Sequence, residues 1–394
     1  MKYKIIYYIG LSLFIIFRVF RIKRNKIVAT TMRGRKFGDN PKYIVEKLHE
    51  MRPDLDIVWL HTNYSNYSTS EGIRLCDYNN PISRIYELAT AKVWINSHRI
   101  EGYVRKRKGQ LFIETWHGGL AIKKLELDRD IHQSDYSLNE IKNTRELADV
   151  FVSNCGFLDN VYHSGFGYNG PILKVGYPRS DILFKKNNLI PKEIRDFFNL
   201  NEKVKICLYA PTFRDSFMNK GTMDLNVYDV DFSRLKKALE DRFGGEWAVL
   251  LKWHPVLAKY VKENSINVSD VIDATEYPDM QKLLLGVDAV LSDYSSSLFD
   301  GAMREIPCFI YAKDFEEYKG GRGVYFELEE LPFQNAKNNV ELVDNIINYN
   351  HDVFIQKWHA FTERTGLKET GHATEIIAHK ILDFIDGKKV NWSE

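Results

Sequence analysis

Short apolar runs alternate with amphipathic stretches along almost the whole chain. The runs that predict β-strands are Ile27–Met32, Asp56–Leu60, Val93–Asn96, Leu111–Thr115, Val150–Ser153, Ile172–Val175, Lys205–Tyr209, Ala248–Lys252, Val271–Asp273, Ala289–Ser292 and Cys308–Tyr311. Stretches with the 3.6-residue period of a helix lie between many of them, for example Pro41–Met51, Leu138–Ala148 and Phe232–Phe243. Alternation of this kind is typical of parallel sheets covered by helices, so the pattern predicts an α/β protein.

The strands form two series, which predicts two domains. A chain of 394 residues is too long for one ordinary hydrophobic core, and the break between the series falls near Gly176–Pro191. We expect two doubly wound, Rossmann-like domains facing a cleft, the first over 27–180 and the second over 181–340. Residues 341–394 are predicted to be helical and to pack back on the domains, and 1–26 form a separate N-terminal segment.

The N-terminal segment is apolar and basic. The apolar run Ile5–Phe17 is interrupted by Arg18, so it is shorter than the about 20 residues of a membrane-spanning helix. No small-residue cleavage site follows, and lysines and arginines crowd the segment with no acid before Asp39. This pattern predicts a helix lying in the membrane surface, with the protein peripheral or monotopic at the cytoplasmic face. The alternative is a first helix docked on the protein's own core.

The overall composition excludes few classes of protein. Hydrophobic residues make up 44% and charged residues 27% of the chain, as in a folded globular protein, and the formal net charge of +2 does not favour nucleic-acid binding. The four cysteines, Cys76, Cys155, Cys207 and Cys308, are scattered with no paired spacing. We interpret them as buried thiols of a reducing compartment and expect no zinc site.

Polar residues follow several predicted strands, where ligands bind in open parallel sheets. These segments are Trp116–Gly119, Ala210–Asp215, Trp253–Pro255 and Asp293–Ser297. In the last segment Asp293, Ser295 and Ser296 precede a predicted helix, so they indicate a phosphate site. The alternative is that they only cap that helix.

Two histidines and one arginine are candidates for chemistry. His117 precedes two glycines, and a neutral imidazole there can accept a proton from an attacking hydroxyl. His254 precedes Pro255, and it could act similarly or donate to a phosphate oxygen. Arg322 lies in a glycine-rich stretch, 314–325, that predicts a mobile loop, and its planar fork suits phosphate. Taken singly, each histidine has a structural alternative, and Arg322 could belong to a surface turn.

Several common fingerprints are absent from the sequence or stand in the wrong place. It contains no GxxxxGK[ST], its GxGxxG at 165–170 does not directly follow a predicted strand, and neither do its Asp-x-Asp pairs. Dinucleotide binding, ATP hydrolysis and magnesium-dependent transfer are therefore disfavoured. A diphosphate donor would have to be neutralised by histidines, arginines and helix ends.

An ordered set of motifs resembles the CDP-glycerol glycerophosphotransferases of teichoic acid and capsule synthesis. The matching segments are Phe37–Pro41, Thr115–Gly118, Gly176–Asp181, Tyr209–Asp215, Lys252–Pro255, Ser292–Ser296 and Tyr318–Tyr325. They occur in order and cover nearly everything from 27 to about 330. The resemblance implies a GT-B-like fold at the cytoplasmic membrane face, with no cofactor and no catalytic metal.

The resemblance also implies roles and partners. His117 would be the base on the acceptor hydroxyl, and His254 would contact the donor diphosphate. The expected substrate-binding residues are Thr212, Arg214, Asp293, Ser295, Ser296 and Arg322. The expected donor is a CDP-alditol, most simply CDP-glycerol, bound by the second domain. The expected acceptor is a glycan linked to a polyprenyl diphosphate lipid, or a growing polymer, on the first domain, and CMP would be the leaving group.

Three points stay open at this stage. The family often has Thr-Pro after Trp-His-Gly, whereas this chain has Gly119-Leu120, which leaves the acceptor undecided. The short region before the first strand favours a priming enzyme over a long polymerase. A GT-B glycosyltransferase using a sugar nucleotide is the main alternative, and a scaffold with a degenerate cleft is a second.

Overall fold

The computed structural model describes residues 2–62, 69–131, 133–185, 189–214, 225–263 and 268–393. Asp215 of the predicted strand-end segment and residues 186–188 of the predicted domain junction lie outside these ranges. The chain forms two compact units. Unit 1 comprises Met1–Gly119, His132–Asp181 and Leu367–Glu394. Unit 2 comprises Leu120–Ile131 and Ile182–Gly366.

Unit 1 is built on a parallel sheet of seven strands in the order β3-β2-β1-β4-β5-β6-β7. The strands are β1 Lys23–Thr30, β2 Asp56–His61, β3 Ile73–Asp77, β4 Ala91–Asn96, β5 Leu111–Glu114, β6 Val150–Ser153 and β7 Ile172–Lys174. The helices of this unit are α1 Lys2–Ile16, α2 Asp39–Met51, α3 Pro81–Thr90, α4 Asp135–Leu147, α5 Gly156–Phe166 and a C-terminal helix, Ala373–Ile385. Strands β4 to β6 are almost continuously buried. Their largely apolar sequences are those expected of parallel strands covered on both faces.

Unit 2 has a second parallel sheet, of six strands in the order β10-β9-β8-β11-β12-β13. Its strands are β8 Lys205–Tyr209, β9 Trp247–Leu251, β10 Ile272–Asp273, β11 Ala289–Ser292, β12 Cys308–Tyr311 and β13 Gln334–Ala336. Its helices are α6 Leu189–Phe197, α7 Phe232–Phe243, α8 Pro255–Glu263, α9 Met280–Leu285, α10 Ser297–Ala302, α11 Phe315–Arg322, α12 Asn339–Ile347 and α13 His351–Thr365.

The prediction of an α/β protein with parallel sheets is confirmed. Every strand predicted from the apolar runs is present within a few residues, but β3 and β13 were missed. Both are edge strands, β3 with exposed Arg74 and β13 with the polar pair Gln334 and Asn335. A strand at an edge needs fewer apolar residues, so its sequence pattern is weaker.

Residues 120–131, which sequence analysis assigned to the first domain, belong to unit 2. An antiparallel bridge pairs Lys123 with Val324, and the Tyr325 N–H donates to the Ile122 carbonyl at 2.7 Å. The prediction of a mobile loop over 314–325 is wrong about the secondary structure, because helix α11 runs through most of this stretch. Its two glycines in the last turn weakened the helical pattern without preventing the helix.

The C-terminal residues divide between the units. Helix α13 belongs to unit 2, and the helix Ala373–Ile385 packs on α2 in unit 1. The backbone N–H groups of Ala373 and Thr374 both donate to the Asp181 carboxylate, at 3.0 and 2.7 Å. Since a carboxylate at the start of a helix satisfies otherwise unpaired N–H groups, Asp181 fixes where this last helix begins.

The N-terminal helix α1 has two different faces. Phe14 is buried in the core of unit 1, and Gly10 lies against the ring of Tyr103. On the other face Ile5, Ile9 and Ile16 are each more than half exposed. In the part of the chain that the structure describes, no helix has both the length and the apolar character needed to cross a membrane.

Candidate active site

His117 lies in the loop that follows β5 in unit 1. Its ring Nδ1 is 2.7 Å from the backbone carbonyl of Ser97, which follows the neighbouring strand β4. A carbonyl oxygen only accepts, so Nδ1 carries the proton in this contact, and the neutral ring has its lone pair on Nε2. The Trp116 ring packs against the imidazole with centroids 4.1 Å apart. The ring is thus oriented with Nε2 as its basic atom.

Residues distant in sequence hold the backbone on either side of His117. The Asn40 amide donates to the carbonyls of Thr115 and Trp116, at 3.4 and 3.2 Å. Arg179 donates from Nη1 to the His117 carbonyl at 2.8 Å and pairs with Asp39 at 3.3 Å. The motifs 37–41, 115–118 and 176–181 therefore meet at one place in unit 1.

Trp116 shows how strongly this loop is constrained. Its φ of +52° is rare for a bulky residue and costs on the order of 1–3 kcal/mol. Its N–H donates to Glu114 Oε1 at 2.9 Å, and Asn40 holds its carbonyl. Burial raises the pKa of Glu114 well above its usual range, the Trp116 N–H lowers it in part, and the charge of Asp39 raises it again. Burial thus favours the protonated form of Glu114, whose two oxygens accept from the Trp116 N–H and, at 3.4 Å, from the Asn96 amide.

The packing around residue 119 explains why this chain has glycine where the family often has threonine. A Cβ at this position would lie 2.6 Å from the Asn154 amide nitrogen, which is held at 2.8 Å by Glu369. The second oxygen of Glu369 accepts from the Tyr177 N–H at 3.0 Å, and the Tyr177 hydroxyl donates to the Gly118 carbonyl at 2.9 Å. Asn154 occupies the space that a side chain at 119 would need.

In unit 2, Asp293 joins two strand-end loops. Its Oδ1 accepts from the backbone N–H of Thr212, which follows β8, at 2.8 Å and from the Tyr294 N–H at 2.6 Å. The Thr212 hydroxyl is buried and has no hydrogen-bond partner among the residues described. A buried hydroxyl without a partner costs about 1–3 kcal/mol, so this atom is suited to a ligand.

Arg214 is committed to neighbouring protein groups. All three of its guanidinium nitrogens donate: Nε and Nη2 to Asp314 at 2.6 and 3.0 Å, and Nη1 to Asp293 at 2.8 Å. Burial lowers its pKa, but the two carboxylates outweigh this and raise it overall. The stacked rings of Tyr294 and Tyr318, 3.9 Å apart, lie beside the cation. Arg214 thus braces the loop, and its predicted contact with substrate stays a prediction.

The serines at 295 and 296 precede a short helix. The Ser295 hydroxyl accepts from the N–H of Ser297 at 3.3 Å, and the Ser297 hydroxyl donates to it at 2.9 Å. Ser296 is the N-cap of α10 and makes no side-chain capping bond there. Because α10 has only six residues, its dipole is too short to make a phosphate site by itself. The predicted phosphate role of these serines stays a prediction.

His254 and Arg322 also belong to unit 2. His254 is exposed, stands before α8, and stacks on Phe213 with centroids 5.6 Å apart. Arg322 is half-buried at the end of α11, the helix that carries Tyr318. Thr212, Arg214 and Asp293 are in direct contact, His254 adjoins them through Phe213, and Arg322 adjoins them through its helix. His117 lies in unit 1.

The residues of this chain from 12 to 383 match the family described as CDP-Glycerol:Poly(glycerophosphate) glycerophosphotransferase. The chain belongs to this family. It is therefore a CDP-glycerol glycerophosphotransferase-like enzyme, as the ordered motifs predicted.

Named relatives and a solved structure agree with the family assignment. The chain is 28% identical to a "Teichoic acid poly(glycerol phosphate) polymerase" of Bacillus spizizenii, over 93% of this chain and 95% of that protein. It is also 28% identical to a polymerase of the same name from Bacillus subtilis, of which it spans only 50%. A structure of the wall teichoic acid polymerase TagF, a variant soaked with CDPG, superposes with a TM-score of 0.80 at 28% identity, covering 93% and 90% of the two chains.

Sequence reasoning missed the glycerophosphotransferase's positioning residues. Asn40, Asp39 and Arg179 were present in the matching motifs but were given no role, and neither were Ser97 and Glu114. The only sign of Asn40 and Arg179 in the sequence was their place in motifs shared with the family. Those motifs lie far from His117 in the chain, so they could not show that the two side chains bind the backbone of residues 115–117.

Proposed function

We propose that this enzyme transfers glycerol phosphate from CDP-glycerol to a hydroxyl of a lipid-linked glycan or growing polymer during teichoic acid synthesis. The acceptor oxygen forms a bond to the β-phosphorus, and the bond from that phosphorus to the bridging oxygen breaks. CMP departs with that oxygen, and the hydroxyl proton passes to His117 Nε2. Membership of the glycerophosphotransferase family supports the reaction class, and the relatives' names support teichoic acid as its product.

The observation that carries this proposal is the fixed tautomer of His117. The Ser97 carbonyl at 2.7 Å keeps the proton on Nδ1, so that Nε2 is the atom able to accept a proton. The contacts from Asn40 and Arg179 hold the ring's backbone in place before substrate arrives. Positioning of this kind supplies much of the rate in phosphoryl transfer, which needs little covalent help from protein.

The donor side of the proposal rests on unit 2. The loops after β8 and β11 are joined by Asp293 and braced by Arg214, and the buried Thr212 hydroxyl offers a hydrogen bond to the donor. His254 and Arg322 would neutralise the diphosphate as CMP leaves. We also propose the GT-B-like arrangement that the sequence predicted, in which two Rossmann-like domains face a cleft.

The proposal places the enzyme at the cytoplasmic face of the cell membrane. The exposed isoleucines of α1 and the basic residues Arg18 and Arg21 that follow would meet the bilayer surface. An acceptor carried on a lipid would be presented at that surface. The same helix packs Phe14 into the core, so under this proposal one face of α1 docks on the protein and the other meets the membrane.

A donor panel tests the reaction class. Purified protein in detergent is incubated with CDP-glycerol, CDP-ribitol, UDP-GlcNAc or UDP-glucose, with and without a lipid-linked disaccharide acceptor. We expect acceptor-dependent release of CMP from CDP-glycerol and no UDP from either sugar nucleotide. Release of UDP without CMP would identify a glycosyltransferase instead.

Two variants separate the expected roles. His117→Ala should abolish turnover while leaving the dissociation constant for CDP-glycerol within a few fold, because the base acts on the acceptor. Arg322→Ala should chiefly weaken donor binding. Isothermal titration with CDP-glycerol and initial rates measure the two effects, and equal losses of binding in both variants would contradict this division of roles.

A further inference from the structure

The imidazole of His98 lies beside the proposed base. His98 follows β4, and its ring meets the His117 ring edge-on, with centroids 5.5 Å apart. The centroid of the Trp116 ring is 6.1 Å from that of His98. Three rings from two neighbouring loops thus meet at the carboxyl ends of β4 and β5, the edge at which open parallel sheets bind ligands.

The backbone around His98 is fixed by contacts that leave its ring unused. The Asn96 amide donates to the His98 carbonyl, and two residues further on the Ile100 N–H donates to the Thr144 hydroxyl at 2.9 Å. The loop therefore holds the imidazole next to His117 without a hydrogen bond to either of its nitrogens.

The His98 ring has no hydrogen-bond partner among the residues that the structure describes. Its Nδ1 is buried, whereas the residue as a whole is partly exposed, so the opposite edge of the ring, with Nε2, faces the open side. Burial, followed by the charges of His117 and nearby arginines, lowers the pKa of His98 well below its usual range, so the ring is neutral near pH 7. Because buried N–H groups without an acceptor are rare, the single proton belongs on Nε2.

The two histidines therefore present opposite hydrogen-bonding groups to a ligand. His117 is protonated on Nδ1 by its contact with Ser97, so its Nε2 accepts a proton. His98 is protonated on Nε2, so its Nε2 donates. One hydroxyl of a substrate can give its proton to His117 while a second oxygen of the same molecule accepts from His98. Oxygens on adjacent carbons are close enough together for both contacts to be made by rings that touch edge to face.

Gly118 leaves space for such a ligand next to His117. Apart from its chain neighbours, the only atom of the described residues within 4 Å of a Cβ built on Gly118 is Trp116 Nε1, at 3.9 Å. This indole N–H is itself buried, with no acceptor in the described part of the chain. Since buried polar groups without partners cost free energy, these unpaired ring nitrogens favour a polar, hydroxyl-bearing ligand.

We propose that His98 Nε2 donates a hydrogen bond to a second hydroxyl of the acceptor, on the carbon next to the one whose hydroxyl His117 deprotonates. His98 is then a specificity-determining residue, and the acceptor class is a molecule with hydroxyls on adjacent carbons. The inference rests on the proposed function and holds for a glycan or a polymer acceptor alike. The His98 proton stays on Nε2 throughout the transfer.

Matched acceptors test this inference. The lipid-linked acceptor that supports CMP release is compared with its analogue lacking the hydroxyl next to the transfer position, which NMR of the product identifies. We expect wild type to prefer the complete acceptor about tenfold in kcat/KM, because the analogue leaves the His98 N–H unpaired. His98→Phe keeps a ring against His117 without an N–H, so it should lose this preference by slowing only with the complete acceptor. His98→Gln keeps an N–H and should retain part of the preference.

His49 provides a matched control. It is a partly buried histidine of α2 whose Nδ1 is likewise buried and unpaired within the described ranges. It lies nine residues beyond Asn40, about 14 Å along the helix from the contacts around His117. His49→Phe makes the same chemical change and should leave kcat/KM for both acceptors unaffected.

Two kinetic outcomes would overturn the inference. Equal losses with both acceptors in His98→Phe would mean that His98 only shapes the surroundings of His117. No loss with either acceptor would mean that His98 binds no hydroxyl.

Nitrogen-15 NMR of the imidazoles keeps the inference testable if no acceptor releases CMP, in which case the proposed function itself has failed. The His98 signals are assigned with His98→Phe, and glycerol or propane-1,3-diol, which has no hydroxyls on adjacent carbons, is then added to wild type. We expect the His98 proton on Nε2 and a saturable shift of that nitrogen with glycerol alone. A proton on Nδ1, equal shifts with both compounds, or no shift with either contradicts the inference.

Discussion

At the scale of single residues, contacts from side chains distant in sequence fix the groups around His117 and Asp293 in place. Asn40 and Arg179 hold backbone carbonyls around His117, and Ser97 selects its tautomer. In unit 2 Arg214 pairs with both Asp293 and Asp314 and so braces a strand-end loop.

Glu114 gives a pH-dependent prediction. Its pKa in the folded protein is raised above the unfolded value of 4.5. Above pH 4.5 the unfolded chain loses this proton while the folded chain keeps it, so the free energy of unfolding falls as pH rises towards the folded pKa. Each tenfold difference in proton affinity costs about 1.4 kcal/mol. Glu114→Gln keeps an acceptor for the Trp116 N–H, so we expect it to be more stable than wild type at pH 8 and similar at pH 4.

Urea unfolding at several pH values measures this effect. The exposed Glu50 is the control, and Glu50→Gln should show no such divergence from wild type between pH 4 and pH 8. If Glu114→Gln instead lost the same stability at every pH, the buried carboxyl would be ionised in the native protein.

The residue roles could be predicted only in part. His117 was found from its position before two glycines at a strand end, because a parallel sheet brings strand ends to one edge. The contacts of Asn40 and Arg179 could not be predicted, since they join segments 76 and 62 residues from their partners. They depend on how a strained loop packs, and no local sequence pattern encodes that packing.

At the scale of elements, the buried strands were predictable, whereas two of the four edge strands, β3 and β13, were missed. Strands β8, β11 and β12 coincide with predicted apolar runs, because burial on both faces demands apolar residues throughout. Strand β3 lies at a sheet edge, has only two buried residues, Ile73 and Cys76, and escaped detection. Helix α11 was not predicted, because Gly320 and Gly321 weaken the helical pattern of its last turn.

Helix α1 gives a prediction at this scale. Ile9 and Ile16 are 53% and 57% exposed, and transferring such apolar surface into a bilayer is favourable. We expect wild type to float with vesicles containing anionic phospholipid, and Ile9→Asn with Ile16→Asn to reduce the bound fraction about tenfold or more. Ile347→Asn, at an exposed isoleucine of α12, is the control and should float like wild type. Undiminished flotation of the double variant would exclude α1 as the membrane contact.

At the scale of the whole molecule, the chain crosses between its units several times. Unit 1 takes its last helix from the C-terminus, and unit 2 takes residues 120–131 from the middle of the N-terminal half. A single boundary near residue 181 was predictable from the two series of strands. The additional crossings were not, because they depend on contacts such as Lys123 with Val324 and Asp181 with Ala373, which join segments far apart in sequence.

The most direct test of the central claim is the mass of the acceptor product. A lipid-linked acceptor is incubated with CDP-glycerol and protein, and product mass and CMP are measured together. Our account predicts that the acceptor gains one glycerol phosphate for each CMP released, and that His117→Ala gives neither. CMP release with an unchanged acceptor would show hydrolysis of the donor, and a gain of any other group would show a different transferase, so either result would contradict the account.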